Sequence, residues 1–99
     1  MTTKRTKTDE RPVLVTTEWK GVFFGYTSTV PANGTIKLRA ARNCIYWGSD
    51  VKGVFGLAAT GPTSSCRIGP AVDLDLRGVT SVADVTPAAT KAWERAPWA

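Results

Sequence analysis

Alternation of apolar and polar residues with a period of two dominates the chain, and it predicts a mainly β protein. Most of the runs are rich in valine, isoleucine and aromatic residues, as strands generally are. The run at residues 44–47 is read either as a separate strand or as a bent continuation of the strand before it. The predicted strands are residues 13–17, 22–27, 35–40, 44–47, 71–76 and 79–85, and we expect the last two to form a closing hairpin. Asn33-Gly34 before the third strand predicts a tight turn, because both residues tolerate a positive φ angle.

Two short segments have helical rather than strand signals. Residues 54–60 have apolar spacing that suits a helix, and a glycine and a proline follow them as a stop signal. Residues 87–95 begin with proline directly after a threonine, the usual arrangement of an N-cap and the first helical position. Trp93 is the one large apolar side chain of this second helix, and we expect it to anchor the helix to the core.

Two breaks in the strand pattern predict bends. Gly25 interrupts the second strand, and the alternation stops at residues 39–42, Arg-Ala-Ala-Arg. The predicted fold is therefore a small β-barrel of the SH3 or Sm type, or a curled antiparallel sheet, with one short internal helix and a C-terminal helix. We expect residues 12–95 to form this single domain and residues 1–11 to be a disordered basic tail. The predicted buried residues are Val13, Val15, Phe23, Ile36, Leu38, Ile45, Leu74, Val82 and Val85.

Composition makes the protein basic and limits its chemistry. Thirteen lysines and arginines against eight acids give a net charge of +5, which favours an anionic partner. The N-terminus has no apolar signal segment, and no apolar run is long enough to cross a membrane. A chain with these features is expected in the cytoplasm, with Cys44 and Cys66 reduced and buried.

The residues that favour enzymatic chemistry are missing from the sequence. The chain has no histidine, no Walker-type phosphate loop and no base to activate either cysteine. Asp73 and Asp75 alternate on one strand, which is typical of a solvated face rather than of a catalytic pair. We therefore predict a non-enzymatic protein with no metal and no cofactor.

Cations and aromatic residues are concentrated between residues 37 and 70. Five basic residues there face a single acid, Asp50, which gives this stretch a charge of +4. Arginines for bidentate contacts and aromatic rings for stacking are the groups that bind nucleotides. Equally, the tryptophan is typical of a core and the cations of a sheet edge protected from pairing. The candidate ligand-binding residues are Arg39, Arg42, Tyr46, Trp47, Thr60, Gly61 and Arg67.

The sequence also resembles short hypothetical proteins of tailed bacteriophages and prophages, catalogued as a domain of unknown function. The resemblance rests on GVF-GLAATGP followed by RIG, on R-x-x-IYWG, and on VLVTTEWKGVFFGY and GVTSVADVT, so that it spans residues 12 to 95. It implies a phage accessory protein acting in the bacterial host cytoplasm. It supplies no catalytic residues.

Three functions are compatible with these observations. The first is binding of an anionic nucleotide in a pocket formed by Arg42, Trp47 and residues 60–69, by which a phage would sequester a host immune signal. The second is binding of single-stranded DNA or RNA along the basic strand, with the tail as an added arm. The third is a virion or assembly protein without a ligand. Because a domain of this size has a small margin of stability, we also expect a homo-oligomer.

Overall fold

The computed structural model of the chain describes residues 10–18, 21–28 and 33–96. The predicted disordered tail falls almost wholly outside the described residues. The elements, in chain order, are β1 (Arg11–Thr17), β2 (Val22–Thr27), β3 (Thr35–Tyr46), α1 (Gly53–Ala59), β4 (Arg67–Ile68), β5 (Val72–Arg77), β6 (Val79–Asp84) and α2 (Pro87–Arg95).

The six strands form one curled antiparallel sheet. Its main order is β4-β3-β2-β1-β6, and β5 pairs with β3 outside this order. The predicted closing hairpin of β5 and β6 is wrong, because the two strands pair with β3 and β1 respectively. Gly78, at φ +70°, joins them and redirects the chain. The sheet therefore curls, as expected, but it is not closed into an SH3- or Sm-type barrel.

β3 is the central element, and it is bent as the interrupted alternation predicts. It pairs with β5 over residues 35–41, with β2 over residues 39–43 and with β4 over residues 44–46, so residues 44–46 continue the third strand. Ala40 lies in the left-handed region at φ +52°, where the register shifts against both β2 and β5. A left-handed alanine costs about 1–2 kcal/mol. The Asp73 carboxylate stabilises this bulge by accepting the Ala40 N–H at 2.8 Å.

The sheet is buried on both faces. The helices cover a first core cluster, which consists of Leu14, Val22, Phe24, Cys44, Val51, Leu57, Ala58, Cys66, Ile68, Val85, Ala89 and Trp93. The concave side encloses a second core cluster of Val13, Val15, Ile36, Leu38 and Ala41, with Phe23, Leu74, Leu76, Val79 and Val82 partly buried against it.

Five of the nine predicted core residues are buried and three are partly buried, and the prediction is wrong for Ile45. Its side chain is 50% exposed. The pairing of β5 with β3 stops at Ala41 and Val72, so no part of β5 covers the strand where Ile45 lies. The alternation of β3 shows which face of the sheet Ile45 occupies. It does not show where β5 ends, and burial of Ile45 could not be predicted for that reason.

Specific contacts fix the two helices, and one of them joins α2 to the sheet. Gly56 is required in α1 because a Cβ atom there would lie 1.5 Å from the Val51 carbonyl oxygen. α2 begins at the predicted N-cap, where the Thr86 hydroxyl accepts the Ala89 N–H. Trp93 stacks on Phe24 with ring centroids 5.2 Å apart. Neither helix, in the part of the chain that the structure describes, is long and apolar enough to span a membrane.

Candidate functional site

The seven candidate residues do not form one site. Arg39 and Arg42 line one cavity of about 220 Å³ beside Tyr26 and Glu94. Thr60 and Gly61 follow α1, and the remaining three candidates lie at the far end of β3. At about 3.3 Å per residue, a strand separates positions 39 and 46 by roughly 20 Å. The seven candidates therefore occupy three places in the structure rather than one.

Arg39 is neutralised within the domain. Its Nε donates to both carboxylate oxygens of Glu10, at 2.8 and 3.0 Å, and its guanidinium lies 4.8 Å from the centre of the Tyr26 ring. The Tyr26 hydroxyl in turn donates a hydrogen bond to Glu94. Burial, followed by this bond to a carboxylate, raises the pKa of Tyr26 well above its usual range. The tyrosine therefore remains a neutral donor at physiological pH.

Arg42 has a structural role. Its Nε donates to the Gly69 carbonyl and its Nη1 to the Trp93 carbonyl, both at 2.8 Å. These bonds join β3 to the segment after β4 and to the last turn of α2. Burial lowers the pKa of the guanidinium from its usual value. Arg42 thus contacts the 60–69 segment, as expected of the predicted pocket, but it does so through backbone carbonyls.

Thr60 and Gly61 end α1. The Thr60 hydroxyl donates to the Gly56 carbonyl. Gly61 is buried at φ +87°, and a Cβ atom there would lie 2.7 Å from the Ala92 side chain. These residues therefore hold the helices together, and the glycine is needed for close approach.

Tyr46, Trp47 and Arg67 do lie together at the β4 end of the sheet. Tyr46 and Arg67 are opposite each other in the β3–β4 pair. The tyrosine is 56% exposed, and the arginine is also exposed. Trp47 is partly buried against the first core cluster. The Trp47 side chain is thus partly accessible beside the exposed tyrosine and arginine.

Asp50 holds two loops together at this end. Its carboxylate accepts hydrogen bonds from the Thr63 and Ser65 hydroxyls, at 2.8 and 2.7 Å. These hydroxyls lower its pKa from the usual value. The bonds tie the turn that precedes Lys52 to the loop that precedes Arg67. We call Tyr46, Trp47, Lys52 and Arg67 the aromatic–basic surface.

The cations of this surface differ from those earlier in β3. Within residues 10–18, 21–28 and 33–96, neither Lys52 nor Arg67 forms an ion pair. Lys37, by contrast, pairs with Asp75 at 3.0 Å. Cations that no acid of the described residues neutralises are therefore present next to the aromatic pair.

A cavity between β2, β3 and β5 is a poor anion site. Its volume is about 430 Å³. Two cations line it together with three carboxylates, so negative charge is in excess. Its charged residues are Glu10, Lys37, Arg39, Asp73 and Asp75. In the described part of the chain, no cluster of three or more potential metal-ligating side chains occurs.

Sequence reasoning missed four residues that determine this arrangement. Glu10 and Glu94 act on Arg39 and Tyr26, and no local pattern indicates either pairing because the partners are 29 and 68 positions apart. Asp73 was assigned only to a solvated face, but it also stabilises the bulge. Lys52 had a detectable signal, because it follows the single acid of a basic stretch and precedes a glycine.

The two cysteines are free and buried, as predicted. Burial raises the pKa of the Cys44 thiol to about 12, and the neighbouring Cys66 adds to the effect. The Cys44 thiol donates weakly to the Tyr46 carbonyl, with the sulfur 3.6 Å from the oxygen. A thiol in this state is not a nucleophile at neutral pH.

Comparison with known proteins identifies a family but no individual relative. No curated protein and no solved structure matches the chain. The model of a family described as a domain of unknown function, DUF6948, matches residues 10–93. That range includes every strand, nearly all of α2 and all seven candidate residues. The chain therefore belongs to the DUF6948 family.

Proposed function

We propose that this protein is a non-enzymatic binder of nucleotide ligands, and that it takes single-stranded nucleic acid on the aromatic–basic surface. The observation that carries the proposal is the pairing of exposed Tyr46 with exposed Arg67 across two adjacent strands. Aromatic side chains that stack on bases and cations that follow the phosphates are the common elements of single-strand binding.

The charge distribution favours the aromatic–basic surface over the first half of β3 as the binding site for nucleic acid. Arg67 and Lys52 have no acid partner among the described residues, whereas Lys37 and Arg39 do. A phosphate at Arg39 would have to displace Glu10, whereas no carboxylate of the described residues has to be displaced at Arg67. Stacking on an aromatic side chain contributes about 1–3 kcal/mol per base.

A second form of ligand is a mononucleotide. The observation in its favour is the cavity of about 220 Å³ that Arg39 and Arg42 line together. This volume suits a phosphate group better than a whole nucleotide, since ligand pockets generally measure about 300–1,000 Å³. The phage resemblance would then point to sequestration of a host immune signalling nucleotide in the bacterial cytoplasm.

Fluorescence anisotropy with a labelled homothymidine oligonucleotide tests the proposal, with an unlabelled mononucleotide as competitor. We expect oligonucleotide affinity to fall steeply as salt is raised, because phosphate contacts release counterions. Tyr46→Ala and Arg67→Ala should each weaken binding by roughly tenfold, which corresponds to about 1.4 kcal/mol.

Lys91→Ala is the matched control for lost charge. Lys91 is exposed on α2, outside the surface, and has no ion pair in the described residues. The Lys91→Ala variant should bind the oligonucleotide with an affinity within about twofold of that of wild type. The small difference would reflect the lower net charge. Equal losses in Arg67→Ala and Lys91→Ala would mean non-specific attraction. No binding of either ligand would favour the third candidate, a virion or assembly protein.

A further inference from the structure

The solvent-facing side of α1 carries an aromatic ring. Phe55 is 85% exposed, whereas Leu57 and Ala58 of the same helix are buried in the first core cluster. Its neighbour one turn later is Ala59, which is also exposed and is too small to cover a phenyl ring. A single exposed apolar side chain does not by itself indicate a site. The residues beside Phe55 therefore determine which role its ring can have.

Lys52 lies next to Phe55 on this side of the helix. It is the residue immediately before α1, three positions before Phe55, and side chains at that spacing are neighbours on a helix surface. The packing of the first turn is close, because a Cβ atom added at Gly56 would lie 3.2 Å from the Cβ atom of Lys52. Lys52 is exposed and forms no ion pair with any residue that the structure describes. The phenyl ring thus has a cation beside it that no described acid neutralises.

A short turn joins this side of α1 to the aromatic–basic surface. Lys52 belongs to that surface, and residues 48–51 form the turn between it and Trp47. The hydrogen bonds of the one carboxylate in this turn fix it to the loop that precedes Arg67. Phe55 is therefore not isolated on the helix, because it continues a surface that already contains two aromatic rings and two cations.

We propose that Phe55 is a second base-stacking position of the single-strand binding site, and that Lys52 contacts the phosphates between it and the aromatic pair Tyr46 and Trp47. This inference rests on the proposed function and adds the extent of the ligand to it. Because Lys52 and the turn of residues 48–51 lie between the two positions, a separate base stacks at each. The ligand is then a strand of several nucleotides rather than a mononucleotide. Sites in which aromatic side chains take successive bases and cations follow the backbone are typical of single-strand binding proteins.

Charge favours a nucleic acid strand over an apolar protein partner as the ligand at Phe55. An apolar partner that covered the ring would also bury Lys52 without a counter-charge, and burial of an unpaired charge is costly. A strand instead brings a phosphate to the lysine and a base to the ring. The nearby Asp50 carboxylate already accepts hydrogen bonds from two hydroxyls, so it is not the partner that Lys52 lacks.

Isothermal titration calorimetry with a thymidine octanucleotide at low salt tests the second position. The octanucleotide is long enough to reach both positions, since sites of this kind span about 4–16 nucleotides. Phe55→Leu removes the ring but keeps an apolar side chain at an exposed position. It should weaken binding by roughly fivefold or more, the loss expected for one stacked base.

A double variant shows whether the two stacking positions are separate. Losses at independent positions multiply, because their free energies add. Since Tyr46→Ala alone should cost roughly tenfold, Tyr46→Ala combined with Phe55→Leu should weaken binding by roughly fiftyfold or more. A double variant that binds no more weakly than Tyr46→Ala alone would mean that the two rings serve one base, and the proposal would be wrong.

Two further variants are controls. Phe55→Tyr keeps an aromatic ring, and Val72→Ala removes part of an apolar side chain that is 52% exposed on β5, outside both positions. Both should bind within about twofold of wild type, since neither removes a stacking position.

The remaining outcomes distinguish this inference from the proposed function. Octanucleotide binding that Phe55→Leu leaves unchanged overturns the second position alone, because the site at Tyr46 and Arg67 would remain. Losses of equal size in Phe55→Leu and Val72→Ala overturn it as well. Wild-type protein that binds no octanucleotide overturns both this inference and the proposed function.

Discussion

Along residues 37–42 of β3, Lys37, Arg39 and Arg42 are each bound to a partner within the domain, two to carboxylates and one to backbone carbonyls. At the β4 end of the same sheet, Arg67 is exposed without an ion pair in the described residues, and Tyr46 is exposed beside it. The sequence gives both regions the same basic character. The difference shows that available charge depends on which acids the fold brings close.

The largest expected difference between the two regions is in their apolar residues. Leu38→Ala removes a fully buried side chain from the second core cluster and should cost about 2–5 kcal/mol. Ile45→Ala, further along the same strand, removes a half-exposed side chain and should cost less than about 1 kcal/mol. Denaturant unfolding measures both. Similar losses for the two variants would contradict the observed cover of β3 by β5.

Arginine substitutions sharpen the comparison. Arg42→Ala leaves the Gly69 and Trp93 carbonyls without their donor and should cost about 1–3 kcal/mol of unfolding free energy. Arg67→Ala should change stability by less than about 0.5 kcal/mol, because the side chain is exposed and makes no ion pair with the described residues. Thermal and denaturant unfolding measures the loss of unfolding free energy in each variant. A larger loss for Arg67→Ala would reverse the assignment of roles.

The ion pairs of the first half should contribute little to stability. Lys37→Gln breaks an exposed pair with Asp75 and should cost less than about 1 kcal/mol. It should also leave oligonucleotide affinity close to that of wild type, since Asp75 already neutralises Lys37. Anisotropy titration measures this second effect. A loss of affinity as large as that of Arg67→Ala would place the ligand on the first half of β3.

The smallest effect concerns Asp50 and pH. The Thr63 and Ser65 hydroxyls lower the pKa of Asp50 in the folded protein, whereas in the unfolded chain it is about 3.9. The stabilisation is therefore present above the unfolded value and lost as pH falls through the lower folded value. Asp50→Asn should remove this contribution. The free energies of unfolding of wild type and variant, measured as a function of pH, should differ above about pH 4 and converge in stronger acid. A difference that stays constant with pH would exclude a contribution from the lowered pKa of Asp50.

Local sequence patterns were sufficient to predict most of the elements. Alternation identifies β1, β2 and β5, and the Thr86 cap with Pro87 predicts the start of α2. The tight turn at Asn33 and Gly34 is confirmed by their positive φ angles of 55° and 72°. These features could be predicted because their causes lie within a few residues of chain.

The candidate site was harder to predict because long-range pairing determines it. Arginines 39 and 42 have the same chemistry as Arg67, but Glu10 and two distant carbonyls bind them. The pairing of β6 with β1 was not predicted, for a similar reason: the two strands are separated by most of the chain. Tyr46 and Arg67 were both candidates, yet their pairing depends on the two-residue strand β4, which has no periodic signal.

Amide chemical-shift mapping by NMR tests the central claim most directly, and a protein of 10.6 kDa is well suited to it. Titration with a short single-stranded oligonucleotide should shift the amide resonances of residues 46–52 and 63–68. Those of residues 37–42 should change little, because the cations there are already paired. Shifts concentrated at residues 37–42, with residues 46–52 and 63–68 unaffected, would contradict the account.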